Sequence, residues 1–134
     1  MEMWTTSHID ACLILSDLKG YMSKDDNVLF DFIFGSYAAG KQNKGSDIDV
    51  AVYFNDPPYG LDLFGLINTL SDLCGADIDL IILNRASPFL RHQVMKYGVA
   101  LAIKDRHIYR QFREGVISGY DEYKFISGLA IYDR

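Results

Sequence analysis

The chain has 134 residues, of which 49% are apolar and 23% are charged. These values are ordinary for a globular protein with one core, so we expect a single domain over residues 1–134. They exclude disordered and fibrous architectures. The net charge of −5 argues against direct nucleic-acid binding, because that function needs a basic face to displace the counterions of the phosphate backbone. The chain shows neither the ~20-residue apolar run of a membrane span nor the basic start and apolar stretch of a signal peptide, so we expect a cytoplasmic protein without membrane contact.

The first half of the chain predicts a helix, two strands and a second helix. Apolar residues recur at helical spacing over 6–22, and the run VLFDFIF over 28–34 is rich in β-forming residues. From Asp47 to Phe54 apolar residues alternate with others at a period of two, which indicates a strand with one apolar face. Two prolines stop this strand, and residues 60–74 predict a helix that ends at Gly75.

The second half predicts a strand over 77–83, a helix that Ser87 caps and that ends at Gly98, and a short strand over 99–103. Asp105 is predicted to cap a last, long helical region, broken or bent near Gly115, Gly119 and Gly128. Helices that alternate with strands predict an α/β fold with layers around one sheet of about four strands. The short connection from the first strand to the second is compatible with an antiparallel pair and with a tight crossover.

The candidate site begins at a glycine turn. Gly35 follows the first predicted strand and begins a turn into a short helix, where glycine lets a ligand approach the backbone and a helix N-terminus presents free N–H groups to a phosphate. The hydroxyl of Ser36 adds one more donor. We therefore expect a phosphate to bind at this turn.

Carboxylates on two strands complete the candidate site. Asp47 and Asp49 stand two residues apart on a strand, so both project from one face, where their charges repel unless a cation lies between them. Asp79, between Ile78 and Leu80 in an apolar strand, is the expected third carboxylate, because an acid in a buried strand is costly unless it is paired or metal-bound. Asp77 shares the parity of Asp79 and is the alternative.

Mg²⁺ is the expected cation, because it takes oxygen ligands, usually one or two carboxylates with water and substrate phosphates. Three carboxylates on neighbouring strands suit a two-metal clamp. Other interpretations of the acids exist, since Asp47 alone suits a turn, Asp-x-Asp pairs occur on exposed strands, and Asp79 suits a water-exposed sheet end.

The run from Gly35 to Gly40, GSYAAG, followed by SDID over 46–49, resembles the GSxxxG…SDxD signature of the DNA polymerase β-like nucleotidyltransferase superfamily. The run GADIDL over 75–80 resembles its third-aspartate strand. The resemblance extends over roughly residues 28–125 and is most similar to the MNT antitoxin subfamily, the partners of HEPN toxins. It implies the mixed-sheet fold of that superfamily.

The resemblance implies a Mg²⁺-dependent enzyme that transfers AMP from ATP to a tyrosine hydroxyl of a HEPN ribonuclease toxin and so silences it. Asp47, Asp49 and Asp79 would be the catalytic metal ligands. The nucleotide-binding residues would be Gly35, Ser36, Gly40, Lys41 and Ser46. The alternatives are an antitoxin that neutralises its partner by binding alone and a small-molecule nucleotidyltransferase, for which 134 residues leave little room for an acceptor-binding domain.

One position departs from the family's pattern. Members often carry a basic residue where this chain has Ala39, and its loss removes a phosphate contact that Lys41 or Lys44 would have to replace. This departure bears on nucleotide affinity more than on metal binding.

Overall fold

The fold is taken from a computed structural model, which describes residues 6–35, 37 and 47–132, and the side chains of residues 13–35, 37 and 47–119 among them. The eight predicted helices and strands are all present. In chain order they are α1 (Thr6–Lys24), β1 (Val28–Phe34), β2 (Ile48–Phe54), α2 (Gly60–Cys74), β3 (Ile78–Ile82), α3 (Pro88–Tyr97), β4 (Val99–Ile103) and α4 (Arg106–Tyr132), with one 3₁₀ turn at Leu83–Arg85.

The strands form one four-stranded mixed sheet in the order β3-β2-β1-β4, which confirms the single sheet of about four strands and the mixed arrangement that the family resemblance implies. Strand β1 is antiparallel to both β2 and β4, whereas β2 and β3 are parallel. The connection left open by the sequence is therefore an antiparallel one, and β2, β3 and β4 all run in the same direction. Helix α2 joins β2 to β3, and α3 joins β3 to β4.

Both faces of the sheet are covered. On one face the helices α1 and α2 pack Leu18 and Leu70 against Val50 and other residues of β2. On the other face α3 and α4 pack Val94, Phe112 and Val116 against β1 and β2. The expectation that β2 has a single apolar face is therefore wrong beyond its first residues, because Ala51 is fully buried and the Tyr53 ring stacks on Phe30 with centroids 4.9 Å apart.

The helix ends are formed by the capping residues that the sequence predicts. The Ser87 hydroxyl accepts a hydrogen bond from the Leu90 N–H at 3.1 Å, and the Asp105 carboxylate accepts one from the Ile108 N–H at 3.0 Å. Gly75 ends α2 with a φ of 64°. Within the described ranges, no helix combines the length and the apolarity that crossing a membrane demands.

The predicted break in the last helix is wrong. Helix α4 runs without interruption from Arg106 to Tyr132, through all three of its glycines. An interior glycine costs a helix only about 1 kcal/mol relative to alanine. Burial of Phe112 and Val116 against the sheet offsets that cost in the first half of α4.

Candidate active site

Three aspartates lie near one another where β2 and β3 begin. Asp47 immediately precedes β2, and Asp49 and Asp79 are the second residues of β2 and β3. The parallel register sets Asp49 directly beside Asp79. Because alternate residues of a strand share a face, the side chains of Asp49 and Ala51 lie on the side of the sheet that α3 and α4 cover. The site is therefore at one end of that face.

The carboxylates interact strongly. Partial burial raises the pKa of Asp49 to about 6, and the charge of Asp79, a hydrogen bond with the Asp79 side chain and the charge of Asp47 act in the same direction. Two ionised carboxylates this close repel each other, and a cation between them would remove that repulsion. Asp47 and Asp79 are exposed, which leaves the cluster open to a ligand from solvent.

The observed exposure corrects one part of the sequence reasoning. The sequence predicts Asp79 as an acid within a buried strand, but it lies at the exposed end of β3, where water reaches it. Asp77 is also exposed and stands before β3, and its backbone carbonyl accepts a hydrogen bond from the Ile48 N–H at 2.9 Å. The structure thus brings Asp79, rather than Asp77, into register with Asp49.

Gly35 closes one side of the cluster. It follows Phe34, the last residue of β1 and the register partner of Asp49, and its φ of +75° lies in the left-handed region that favours glycine. A Cβ atom at this position would collide with the Asp49 carboxylate, 3.1 Å from its Cγ. Any other residue would therefore displace Asp49, so the turn and the carboxylate are fitted to each other.

The donors at this site suit Mg²⁺. In the part of the chain whose side chains are described, no three Asp, Glu, His or Cys residues are arranged as a finished metal site, and Asp49 instead hydrogen bonds to Asp79. Mg²⁺ commonly takes only one or two carboxylates, with water and phosphate oxygens supplying the remaining ligands. Besides burial, the charges of Asp79 and Asp47 raise the pKa of Asp49, and a cation would neutralise these charges. The chemistry of the residues present therefore fits the ion.

Several residues singled out in the sequence lie outside the described part of the chain. They are Ser36, Gly40, Lys41 and Ser46, together with Ala39 and Lys44. Their expected contacts with a nucleotide stay predictions.

One buried acid was not among the residues predicted from the sequence. Asp31 is fully buried in β1, on the α1 face of the sheet and so on the opposite side from the aspartate cluster. Neither of its carboxyl oxygens has a hydrogen bond of ordinary geometry within the described residues, although the Ala102 N–H is close enough to affect its pKa. Burial raises that pKa to about 7, while Lys104, the Ala102 N–H and Lys19 lower it. The sequence did carry a signal for it, because Asp31 is the one charged residue in the otherwise apolar run VLFDFIF over 28–34.

A mixed sheet with an aspartate cluster at the start of two parallel strands, beside a glycine turn, defines this chain as a nucleotidyltransferase of the polymerase β type. The family model described as "Polymerase beta, Nucleotidyltransferase" matches residues 16–107. The chain belongs to this family, and within the described residues its fold is built from four strands and four α-helices.

The sequence relatives are named for protein adenylylation. MJ0128 of Methanocaldococcus jannaschii, to which protein adenylyltransferase activity is assigned by name, is 39% identical over 75 residues, which are 51% of this chain and 76% of that protein. The protein adenylyltransferase MntA of Shewanella oneidensis is 37% identical over 70 residues, 52% of this chain. That match spans only 50% of the length of MntA.

The structural relatives are toxin–antitoxin proteins. A chain from a crystal structure of a toxin–antitoxin with AMP-PNP superimposes with a TM-score of 0.76 at 28% identity, covering 87% of this chain and 96% of that one. A chain from a variant of the MntA–HpeT toxin–antitoxin gives a TM-score of 0.74 at 25% identity, covering 90% and 96%. The fold is therefore that of an MntA-type antitoxin.

Proposed function

We propose that this chain is an antitoxin enzyme that transfers AMP from ATP to a tyrosine hydroxyl of a HEPN-type ribonuclease toxin. The observation that carries the proposal is the pairing of Asp49 with Asp79 beside the Gly35 turn, because it concentrates carboxylates at one open end of the sheet. The names of the sequence relatives and the AMP-PNP in the crystal structure of a structural relative support the nucleotide. Since ATP is the donor, we expect the cytoplasm as the place of action.

The proposed nucleotide site has two halves. Asp47, Asp49 and Asp79 would hold Mg²⁺, which when bound supplies positive charge to the triphosphate and lowers the pKa of the acceptor hydroxyl. The other half is the turn at Gly35, where the absence of a side chain lets the backbone lie directly against the Asp49 carboxylate, and we assign a phosphate contact to the backbone of this turn. We assign the remaining phosphate contacts to Ser36, Gly40, Lys41 and Ser46.

The transfer itself needs little covalent chemistry from the protein. The acceptor oxygen attacks the α-phosphorus of ATP in line, the bond from that phosphorus to the β-phosphate side breaks, and pyrophosphate leaves as AMP remains on the acceptor. The hydroxyl proton passes to solvent, which reaches the site because Asp47 and Asp79 are exposed. Catalysis therefore comes from positioning and from charge neutralisation, as is general for such transfers.

The test is intact-mass spectrometry of the HEPN protein encoded beside this chain, after incubation with this chain and MgATP. We expect mass gains equal to one or more AMP groups with the native chain and none with Asp49→Asn. Asp62→Asn, which removes an exposed acid in the first turn of α2, after the end of β2 that is opposite to the cluster, is the matched control and should keep the activity.

Two outcomes would overturn the proposal. A tight complex with no mass gain would identify an antitoxin that acts by binding alone. An unmodified HEPN protein together with AMP transfer to an aminoglycoside would identify a small-molecule nucleotidyltransferase.

A further inference from the structure

A groove runs between α3 and α4, on the same face of the sheet as the aspartate cluster. Its volume is about 350 Å³. This value is near the lower end of the ~300–1,000 Å³ found for ligand pockets, so the groove has room for a few side chains rather than for a folded element. The residues that line it are His92, Met95 and Lys96 of α3, and Tyr109, Arg113, Val116 and Ile117 of α4.

The groove leads toward the aspartate cluster. Helix α3 ends at Tyr97, and the first residue of β4, Val99, pairs with Ile33 near the end of β1. The next residue, Phe34, pairs with Asp49. Because β4 and β2 flank β1 at strand spacings of ~4.8 Å, the starts of β4 and β2 lie about 10 Å apart. Helix α4 begins where β4 ends, so it runs back toward the same end of the sheet.

This part of the chain is basic although the chain as a whole is acidic. Residues 85–119 contain seven Lys or Arg and two Asp or Glu, a net charge of +5 within a chain of net charge −5. In the groove, Lys96 and Arg113 are exposed and His92 is partly buried, and no acid is among the seven lining residues. Glu114 is on α4 but does not line the groove. The groove therefore favours an anionic occupant.

The floor of the groove is apolar. Met95, Tyr109 and Val116 belong to the core between the sheet and these helices, and Ile117 at the rim is 55% exposed. Methionine adapts its shape readily, which suits a surface that receives a partner's side chain. A phosphodiester alone would leave this apolar surface uncovered, whereas a peptide with an apolar residue between acids would cover it while pairing with the cations.

We propose that the α3–α4 groove binds an acidic segment of the acceptor protein and thereby brings a neighbouring hydroxyl to the aspartate cluster. This proposal rests on the protein-acceptor function proposed above. The acidic side chains pair with Lys96 and Arg113, and an apolar side chain between them packs on Met95 and Val116. The cations thus select the acceptor and increase the rate of encounter, while the aspartates carry out the transfer.

The first test is a titration of the ¹⁵N-labelled full chain with the peptide Glu-Glu-Leu-Glu-Glu, followed by amide chemical shifts. We expect shifts concentrated at the groove residues, and binding about tenfold weaker in Lys96→Glu/Arg113→Glu because two attractions become repulsions. Arg106→Glu/Arg110→Glu is the matched control, since it reverses two charges of α4 that do not line the groove.

Equal weakening by the groove and control variants would overturn the proposal, because it would show attraction by net charge alone. Tighter binding of triadenylate than of the peptide at the same groove would overturn it in favour of a nucleic-acid site. An absence of shifts at millimolar peptide would overturn it as well.

The second test separates the groove from the reaction. With the HEPN protein as acceptor, we expect Lys96→Glu/Arg113→Glu to raise the KM for the protein about tenfold and to leave the KM for ATP unchanged. An unchanged KM for the protein in this variant would count against the groove. If the native chain transfers no AMP at all, the proposed function fails, whereas the peptide titration still decides the groove.

Discussion

Replacing Asp31 with asparagine should stabilise the protein at alkaline pH far more than at acidic pH. Asp31 is fully buried, and its carboxyl oxygens have no hydrogen bond of ordinary geometry in the described part of the chain. Burial raises its pKa from the ordinary 3.8 to about 7, although Lys104, the Ala102 N–H and Lys19 lower it. Asparagine has nearly the same shape as aspartate and carries no charge at acidic or alkaline pH.

The size of the effect follows from linkage. Because the pKa is raised in the folded state, the unfolded chain loses this proton first as the pH rises. Stability therefore falls over the window from about pH 4 to about pH 7, and the loss is complete above that window. Between about pH 5 and about pH 8 the native protein should lose about 2–3 kcal/mol relative to Asp31→Asn, at about 1.4 kcal/mol for each pKa unit crossed.

Urea unfolding of both proteins at the two pH values measures this difference directly. Asp72→Asn serves as the control, because it makes the same substitution at an exposed position on α2. If the advantage of Asp31→Asn were the same at both pH values, Asp31 would be ionised throughout, and the interpretation of it as a neutral buried acid would be refuted.

Three further predictions concern the turn, the cluster and a helix cap. Gly35→Ala should destabilise the protein by about 1–2 kcal/mol and abolish AMP transfer, because it adds left-handed backbone strain and a collision with Asp49. Gly75→Ala is the control, since it adds similar strain but has open space around its Cβ, and it should cost comparable stability and keep the activity. Equal activity in the two variants would contradict this prediction. Since Asp49 has a pKa raised to about 6, nucleotide binding in the presence of Mg²⁺ should weaken as the pH falls below about 6, and titration calorimetry that finds no such trend would exclude Asp49 as a ligand. Asp105→Ala should lower the free energy of unfolding by about 1 kcal/mol through loss of its hydrogen bond to the Ile108 N–H, and Asp105→Asn should retain most of it, as thermal unfolding would show.

Local signals in the sequence account for most of the fold. The strand predicted over residues 47–54, the Ser87 cap and the Gly75 end each depend on neighbours in the chain, and each is found where the sequence placed it, although the strand is buried on both faces rather than on one. The break expected in α4 failed because packing of Phe112 and Val116 outweighs the modest helix penalty of glycine. Propensity alone could not show that burial.

The site was harder to obtain from the sequence, because its geometry depends on pairing between distant segments. Parity allowed both Asp77 and Asp79, and only the parallel register with β2 places Asp79 beside Asp49. The cost of burying an acid applies to Asp31 rather than to Asp79, since the first is fully buried and the second is exposed. The basic groove was equally hidden, because its cations come from two helices whose packing the sequence does not reveal.

The most direct measurement of the proposed site is the affinity of the full chain for a non-hydrolysable ATP analogue with Mg²⁺, by titration calorimetry, in the native protein, Asp79→Asn and Asp77→Asn. Each variant removes one exposed charge at the start of the same strand, but only Asp79 pairs with Asp49. We predict that Asp79→Asn, or removal of Mg²⁺ by a chelator, weakens binding by about tenfold or more, while Asp77→Asn binds as the native protein does. Native affinity in Asp79→Asn, or an equal loss in both variants, would contradict a cation site built on Asp49 and Asp79.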